Sequence, residues 1–340
     1  MAYTTIKKPS DYFNTVLYTG NAGTQSITGV GFSPDFIWGK NRSSVTHHAL
    51  VDTVRGNTKY VKSSTTAAEA TITNMVTSFD SDGFSLGADS DMNGSSANQV
   101  AWNWLANGAG VANTDGTISS TVSANTTAGF SIATWSGTGS NGSIGHGLGG
   151  VDCMIIKDLS NARDFYFWNK SMAYNTRLEL NNTETFTTGT DNMTALPDAT
   201  KINMAVSTQN NGSGNNYVGY FFQEKQGFSK FGSYTGNGST DGTFVYTGFK
   251  PAWIMVKRTD ATEVWHILDN KRDTFNKNAD WKYLDPASSG AEYDNNQHDF
   301  LSNGFKMRAT GANSNASGGS FIYMAFAEQP LVGDNPATAR

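Results

Sequence analysis

The sequence predicts an all-β protein made of three tandem antiparallel β-sandwich repeats of the jelly-roll or lectin-like kind. Three observations lead to this prediction. The 340 residues include 36 Gly but only 7 Pro, with 12% aromatic and only 16% charged residues, which is typical of short strands joined by Gly-, Asn- and Ser-rich turns. One set of landmarks also occurs three times along the chain. Within each copy, the apolar residues follow the period of two that strands require.

The clearest landmark is a turn and a strand that end in a lysine. It reads GFSPDFIWGK at residues 31–40, GLGGVDCMIIK at 147–157 and GFKPAWIMVK at 248–257. An aromatic-Gly turn precedes each lysine by 22 or 23 residues, beginning at Tyr18, Trp135 and Tyr234. We expect the lysine to mark the point where this inner strand meets solvent. Further along, each copy has a Gly/Asn/Ser turn and closes on an aromatic strand: QVAWNWLA, NYVGYFFQE and SFIYMAFAE.

These landmarks define the predicted domain organisation. The predicted segments are an N-terminal arm at residues 1–11, repeat 1 at 12–106, a linker at 107–127 in which TISSTVS could form a strand, repeat 2 at 128–225, repeat 3 at 226–329 and a C-terminal arm at 330–340. A repeat of about one hundred residues is a usual size for a β-sandwich. The arms have no core of their own, so we expect them to be disordered or docked on another chain.

The closing strand of repeat 3 illustrates the period of two. Phe321 and Tyr323 point to one face of the strand, and Ile322 and Met324 point to the other. Because both faces are apolar, we expect a central strand that is buried on both sides. The same reasoning predicts four aromatic core residues: Trp102, Trp253, Phe321 and Phe326.

Charge and composition argue against several classes of partner. The 24 basic and 29 acidic residues give a net charge of −5, which argues against nucleic acid or an anionic membrane as the main partner. No apolar run is long enough to cross a bilayer, and no secretion signal follows the first two lysines. The single cysteine, Cys153, excludes an intramolecular disulfide framework. No phosphate loop or dinucleotide fingerprint is present, so no cofactor is expected.

Two sets of charged residues share one spacing and are the main candidates for a site: Lys40, Asp52 and Arg55, and Lys257, Asp269 and Arg272. The spacing suits a strand, a loop and a return strand. One interpretation is a salt bridge that holds this hairpin together. The other is a polar ligand site in which Trp265 stacks on a sugar. The middle copy has Asn169 in place of the aspartate and no arginine at the matching position.

A calcium site is a weaker possibility. The residues Asp89, Asp91 and Asn93 in DSDMNG begin like a calcium-binding loop. An EF-hand loop needs a glutamate eleven residues after its first aspartate, and that position is Val100. Asx turns between strands therefore explain the sequence better, and no metal site is predicted.

Paired carboxylates would suggest a glycosidase, which needs two of them across one glycosidic bond. The candidates are Asp80, Asp82, Asp89 and Asp91, but only the first two border the shared landmarks. Carboxylates are also common in turns. No catalytic residue is therefore predicted.

Several long segments resemble a family of virion structural proteins of marine tailed phages, including those of cyanobacteria, whose members are often labelled tail fibre or structural protein. The segments include DYFNTVLYTGNAGTQSITGVGFSPDFIWGKNRSS, SFDSDGFSLG, VAWNWLANG, TDGTISSTVSANTTAGFSI, GFSKFGSYTGNGSTDGTFVYTGF and IYMAFAE. The resemblance covers essentially the whole chain, from residue 2 to residue 340. It implies a particle component present in many copies, with lectin-like β-sandwich units exposed on the virion. It carries over no catalytic residues.

We therefore expect a non-enzymatic virion protein, made in the host cytoplasm and exposed on the particle as a tail fibre, another appendage or a capsid decoration. Its repeats would lengthen a rigid rod or multiply weak contacts during host attachment. The expected partners are other copies of the chain, with a trimer favoured by the resemblance, other virion proteins and a host cell-surface glycan. The alternatives are a receptor-binding fibre specific for a host glycan and a polysaccharide depolymerase.

Overall fold

The computed structural model describes residues 3–274, 276, 282–294, 298–333 and 336–337. Strands dominate these residues; the helical elements described are one 3-10 turn at Pro9–Asp11 and one short helix, α1, at Ser90–Asn93. Every pairing between the strands is antiparallel. The predicted all-β antiparallel class is therefore confirmed. The strands fall into three groups, which we name units 1, 2 and 3.

Unit 1 is a larger sheet that packs on a smaller one. In spatial order, the larger sheet contains β1 (Phe13–Thr19), β9 (Asn98–Trp104), β3 (Phe36–Asn41), β4 (Ala49–Asp52), β5 (Lys59–Lys62) and β6 (Ala70–Thr71). The smaller sheet contains β2 (Gln25–Thr28), β8 (Gly83–Leu86) and β7 (Val76–Asp80). Ile37 on β3 and Phe84 on β8 belong to the core between the two sheets.

Unit 2 has the widest sheet. Its strands, in spatial order, are β10 (Val111–Asn113), β11 (Ser120–Asn125), β12 (Phe130–Ser136), β19 (Asn216–Phe222), β14 (Cys153–Asp158), β15 (Tyr166–Asn169), β16 (Thr176–Glu179) and β17 (Thr187–Thr188). Its small sheet pairs β13 (Gly142–Gly145) with β18 (Lys201–Met204). Both β10 and β11 lie in the predicted linker at 107–127. The possible strand at TISSTVS is thus β11, and this segment extends the sheet of unit 2.

Unit 3 repeats the arrangement near the C-terminus. The larger sheet contains β20 (Ser229–Thr235), β28 (Ser320–Pro330), β22 (Phe249–Arg258) and β23 (His266–Asp269). The smaller sheet contains β21 (Phe244–Tyr246), β27 (Gly304–Met307) and β26 (His298–Leu301). A separate pair, β24 (Lys282–Tyr283) with β25 (Tyr293–Asp294), adjoins β23 through a bridge between Ile267 and Leu284.

The three larger sheets share one strand order, β1-β9-β3-β4, β12-β19-β14-β15 and β20-β28-β22-β23. The repeated lysine lies opposite the third residue of the closing strand in each: Lys40 opposite Val100, Lys157 opposite Val218 and Lys257 opposite Ile322. The sequence landmarks therefore occupy equivalent positions in the three units. The boundaries of the repeats stay predictions.

One apolar core is shared by all three units. Trp104, Phe222 and Phe326 hold equivalent positions on the three closing strands, opposite Phe36, Cys153 and Trp253. Their ring centroids form a triangle with sides of 6.4, 5.6 and 5.9 Å. The larger sheets thus meet around a common centre. Of the two arrangements that the repeats suggested, the three units of one chain do not form a linear rod, because each larger sheet has a second apolar face that the other two units cover.

The described part of the N-terminal arm packs on its own chain. Ile6 is buried in the shared core, and the Tyr3 hydroxyl donates a hydrogen bond of 2.6 Å to the Gly248 carbonyl of unit 3. At the other end, β28 extends to Pro330, the first residue of the predicted C-terminal arm, and the Ala337 amide donates back to the Pro330 carbonyl within that arm. The described residues of the N-terminal arm are thus ordered on their own chain rather than disordered, and docking of either arm on another chain stays a prediction.

The glycines of the aromatic-Gly turns are required by close backbone contacts. A Cβ atom added at Gly20 would collide with the Gly94 carbonyl oxygen, and Gly137 and Gly236 face the same obstacle in units 2 and 3. We expect Gly20→Ala to lower the free energy of unfolding by about 1–3 kcal/mol, because overpacking shifts the backbone. Gly23→Ala is the matched control, since its nearest neighbour would lie 3.6 Å away. Equal urea midpoints for the two variants would contradict this reading.

Candidate functional site

In each of the two charged sets the aspartate pairs with the arginine, and both pairs are buried. Asp52 ends β4 and Asp269 ends β23. In each unit the chain turns directly afterwards, so that the arginine three residues later returns to the carboxylate. The Nε–Oδ2 distance is 2.6 Å for Arg55 and 2.5 Å for Arg272. Each aspartate also accepts the backbone N–H of its arginine. This geometry agrees with the salt-bridge interpretation of the sequence.

Each of these aspartates also binds the closing strand of another unit. The Tyr220 hydroxyl of unit 2 donates to Asp52 of unit 1 at 2.9 Å. The Trp102 indole N–H of unit 1 donates to Asp269 of unit 3 at 3.0 Å. These donors are equivalent, because each lies opposite the residue two positions before the repeated lysine. The pairs therefore join units as well as holding hairpins.

The Nη1 atoms of the two arginines also form salt bridges within the chain. Arg55 Nη1 lies 3.2 Å from Glu69, and Arg272 Nη1 lies 3.0 Å from Glu292. Burial alone would lower the pKa of Arg55, but Asp52 and its other partners raise it above the ordinary value. The two guanidinium groups are thus charged and fully engaged within the chain.

Unit 2 lacks both the aspartate and the arginine of this pair, and the structure gives one reason for both differences. The donor position in unit 3 is Met324, which carries no N–H or O–H, and the arginine position in unit 2 is Met172. A buried aspartate there would lack both its cation and its donor, which is unfavourable. Asn169 is neutral and instead donates to the Tyr323 carbonyl at 3.1 Å. Unit 2 is therefore joined to unit 3 without a buried charge.

The three repeated lysines are fully buried, so the expectation that they meet solvent is wrong. Each ammonium donates to a backbone carbonyl of another unit: Lys40 to Ser289, Lys157 to Thr66 and Lys257 to Thr183, at 3.4, 2.9 and 3.1 Å. Each also binds a carbonyl of its own unit. The lysine therefore closes the contact between neighbouring units.

These lysines should make stability rise with pH. Burial lowers the pKa of Lys40, Lys157 and Lys257 to about 8, although nearby carboxylates oppose the shift. In the unfolded chain a lysine keeps its proton up to about pH 10.4. Between these values the unfolded state binds more protons, so we expect the free energy of unfolding to increase from about pH 8 to about pH 10.

Above about pH 10 the trend should reverse, because burial raises the pKa of tyrosines such as Tyr220 and only the unfolded chain then loses those protons. Urea unfolding at several pH values measures both trends. Lys157→Met should make the rise below pH 10 smaller, because it removes one of the buried lysines whose pKa is lowered. Lys271→Met is the matched control, because its side chain is exposed. A flat profile in the unsubstituted chain would contradict the prediction.

Trp265 lies between units 2 and 3. Its indole N–H donates to the Asn182 carbonyl at 3.0 Å, and its ring packs edge-on against Phe167. The Lys257 ammonium lies 6.0 Å from the ring centroid. With 1% of the residue exposed, the ring offers no free face for a sugar. The burial of Trp265 and of both charged sets therefore favours their structural interpretation over a ligand site.

The residues of the possible calcium loop have protein partners. Asp89 caps α1 by accepting the Asp91 N–H at 2.9 Å, and Asp91 pairs with Lys62 at 3.4 Å. Asn93 is buried and donates to the carbonyl of Gly87. Within the described ranges, no group of three or more His, Cys, Asp or Glu side chains is arranged to hold a metal.

Asp80 and Asp82 hold turns of the smaller sheet in unit 1. Asp80 accepts hydrogen bonds from the hydroxyls of Ser78 and Ser85, both at 2.7 Å. Asp82 accepts the backbone N–H groups of Gly29 and Gly31, which lower its pKa. These contacts explain both carboxylates as turn-forming residues.

Sequence reasoning missed the role of three equivalent asparagines. Asn93, Asn211 and Asn315 are fully buried. Each accepts a backbone N–H from the aromatic-Gly turn of its own unit, donated by Asn21, Thr138 and Asn237. All three asparagines are the first residue of the Gly/Asn/Ser turn in their copy, and this shared position could have indicated a shared role. This hydrogen bond joins the aromatic-Gly turn of each unit to its Gly/Asn/Ser turn, which are separate landmarks in the sequence.

An open groove of about 590 Å³ lies between units 1 and 2. Its lining is largely polar, with Ser and Thr side chains from β11 and β12, and includes Lys59 and Glu69 of unit 1. Trp135 and Tyr217 line it too, but their stacked rings are buried. The groove therefore presents hydroxyl groups and few apolar surfaces.

Comparisons with known proteins identify a family. No curated protein and no solved structure matches the chain. Across the described ranges, the structure has no helix with the length and apolar character needed to span a membrane. A family described as a domain of unknown function, DUF7483, matches residues 8–330 and so includes the strands of all three units. The chain therefore belongs to the DUF7483 family.

Proposed function

We propose that this chain is a non-enzymatic structural protein of a phage virion, exposed on the particle surface as a tail fibre, another appendage or a capsid decoration. The observation that carries the proposal is the use of the repeated charged residues. Both Asp–Arg pairs and all three lysines bind other units of the same chain. In an enzyme, charged residues of these types would contact the substrate. Here they join the three units of one chain.

The virion location rests on the resemblance of the whole sequence to structural proteins of marine tailed phages. A body of three joined units suits a surface component that contacts a host cell. We include a contribution to host attachment in the proposal for this reason. Electron microscopy of purified virions labelled with antibodies against the chain tests the location. We expect labelled particles, and uniformly unlabelled particles that contain the other virion proteins would contradict the proposal.

The depolymerase alternative predicts bond cleavage. We expect no new reducing ends when the protein is incubated with purified host capsular polysaccharide. If reducing ends form and disappear in a variant with Asn at residues 80, 82, 89 and 91, the chain is a hydrolase. The side-chain contacts of Asp80 and Asp82 support the non-enzymatic alternative, since both carboxylates are engaged in turns.

We also propose that copies of this chain assemble into a homo-oligomer, and a trimer is the favoured form. The described N-terminal arm gives less support than expected, because Ile6 packs in the core of its own chain. The exposed apolar side chains of Val45, Val111 and Leu196 are available for contacts between copies. Light scattering after size-exclusion chromatography should give a mass near three times 36.5 kDa. A single-chain mass at micromolar concentration would contradict self-assembly.

A further inference from the structure

Unit 3 exposes two aromatic side chains on its strand β21. Phe244 and Tyr246 lie on the outer face of β21, while Val245 between them points into the core. The two aromatic residues are 43% and 55% exposed. The equivalent residues on β2 of unit 1 are Ser26 and Thr28, as the register of each strand with its neighbour shows. Unit 1 therefore has small polar side chains at the positions where unit 3 has the two exposed aromatic side chains.

Beside Tyr246 lies a cleft of about 400 Å³ at the junction of unit 3, the end of unit 2 and the N-terminal arm. We name it the Tyr246 cleft. Its lining combines two aromatic rings with a carboxylate, an amide, an ammonium group and a hydroxyl, contributed by Tyr3, Tyr246, Glu224, Gln226, Lys230 and Thr247. Ligand sites typically combine apolar or aromatic walls with a few polar groups in this way.

The walls of the cleft are held by bonds within the chain. The Tyr3 hydroxyl donates to the Gly248 carbonyl, and an added Cβ at Gly248 would lie only 2.8 Å from that hydroxyl. Glu224 accepts the Phe231 N–H at 2.7 Å and pairs with Lys170 at 2.7 Å. These contacts fix the tyrosine and the carboxylate before any ligand arrives, which reduces the entropy lost on binding.

One polar group in the cleft has no partner among the residues that the structure describes. The side chain of Gln226 is exposed and makes no hydrogen bond to any of the described residues. A primary amide offers both donors and an acceptor. A ligand with neighbouring hydroxyl groups would therefore be complementary to it. The adjacent Tyr246 ring offers an apolar face with a polar edge.

We propose that the Tyr246 cleft binds a pyranose residue of a saccharide. The C–H face of the sugar packs on the Tyr246 ring, and its hydroxyl groups exchange hydrogen bonds with Gln226 and Lys230. This inference rests on the proposed attachment role, for which a cell-surface glycan supplies the contact. It differs from a sugar site at Trp265, because Trp265 is buried between units 2 and 3.

Saturation-transfer NMR on the full chain tests the cleft, with the methyl pyranosides of glucose, galactose, mannose and N-acetylglucosamine as separate probes. We expect transfer to at least one of them. Tyr246→Thr, which installs the residue found at Thr28, should weaken that binding by about tenfold or more through loss of the stacking face. Gln226→Ala should weaken it by a smaller factor. Tyr174→Thr is the matched control, because it removes another exposed tyrosine.

Circular dichroism should show that all three variants stay folded, since each altered side chain is exposed. Absence of transfer to all four probes, or equal affinity in the Tyr246→Thr variant, would overturn the cleft as a pyranose site. Adhesion of the protein to host cells without binding of any probe would overturn the cleft while leaving the attachment role. Probe binding that depends on Tyr246, together with unlabelled virions, would support the cleft and reject the virion location.

Discussion

Replacing Asp269 with Asn should lower the free energy of unfolding by about 3–5 kcal/mol, because it leaves the Arg272 guanidinium buried without its main counter-charge. Both side chains of this pair are fully buried. The carboxylate also accepts the Trp102 indole N–H of unit 1, so the change weakens a contact between units. Urea unfolding followed by tryptophan fluorescence measures the loss.

The chain itself suggests the compensating change. Unit 2 has Asn169 and Met172 where unit 3 has Asp269 and Arg272. We therefore expect the double variant Asp269→Asn/Arg272→Met to be more stable than Asp269→Asn alone, since it removes the stranded cation. Glu292 would keep its bond to Arg42 at 2.9 Å.

Two controls sharpen this double-mutant cycle. Asp82→Asn alters a carboxylate that is exposed and should have a much smaller effect than Asp269→Asn. The Arg272→Met single variant completes the cycle and gives the coupling energy. Additive effects of the two single changes would show that the pair is not coupled, which would refute the interpretation of this site.

Phe222→Ala should have an effect of similar size, about 3–5 kcal/mol, because it opens a cavity at the centre of a packed core. Phe222 contacts both Trp104 and Phe326, the equivalent residues of units 1 and 3. We therefore expect one cooperative calorimetric transition at a lower temperature, in which all three units unfold together.

The alternative outcome for Phe222→Ala is equally measurable. If units 1 and 3 melted at their original temperature while unit 2 melted earlier, the core would not be shared in the way the ring contacts indicate. Phe186→Ala is the control within unit 2, because its side chain is 38% exposed. It should leave the transition almost unchanged.

The strands and their buried residues could be predicted from the sequence. Trp102, Trp253, Phe321 and Phe326 are all buried, as the apolar alternation predicted. This succeeds because successive side chains of a strand point to opposite faces, so local order alone reports which faces avoid water. The two charged sets were also recognised as candidate salt bridges, but only the structure shows that the partner of each aspartate is the arginine three positions later.

The predictions from sequence that the structure contradicts have a common physical origin. The lysine at the end of an apolar strand can be hydrated by water or bound by carbonyl groups, and its own neighbours do not distinguish these cases. The carbonyls that bind Lys157 include that of Thr66, from a different unit. A contact between residues so far apart in the chain leaves no periodic signal in the sequence.

By itself, the sequence determined the all-β class, the repeated landmarks and the aromatic core residues, because each depends on residues that are close together in the chain. Only the tertiary structure decided that the units converge on Trp104, Phe222 and Phe326. It also decided that Trp102 and Tyr220 are the donors that join neighbouring units. A strand that is apolar on both faces requires a partner on each side, but its sequence does not specify which surface of the molecule that partner is.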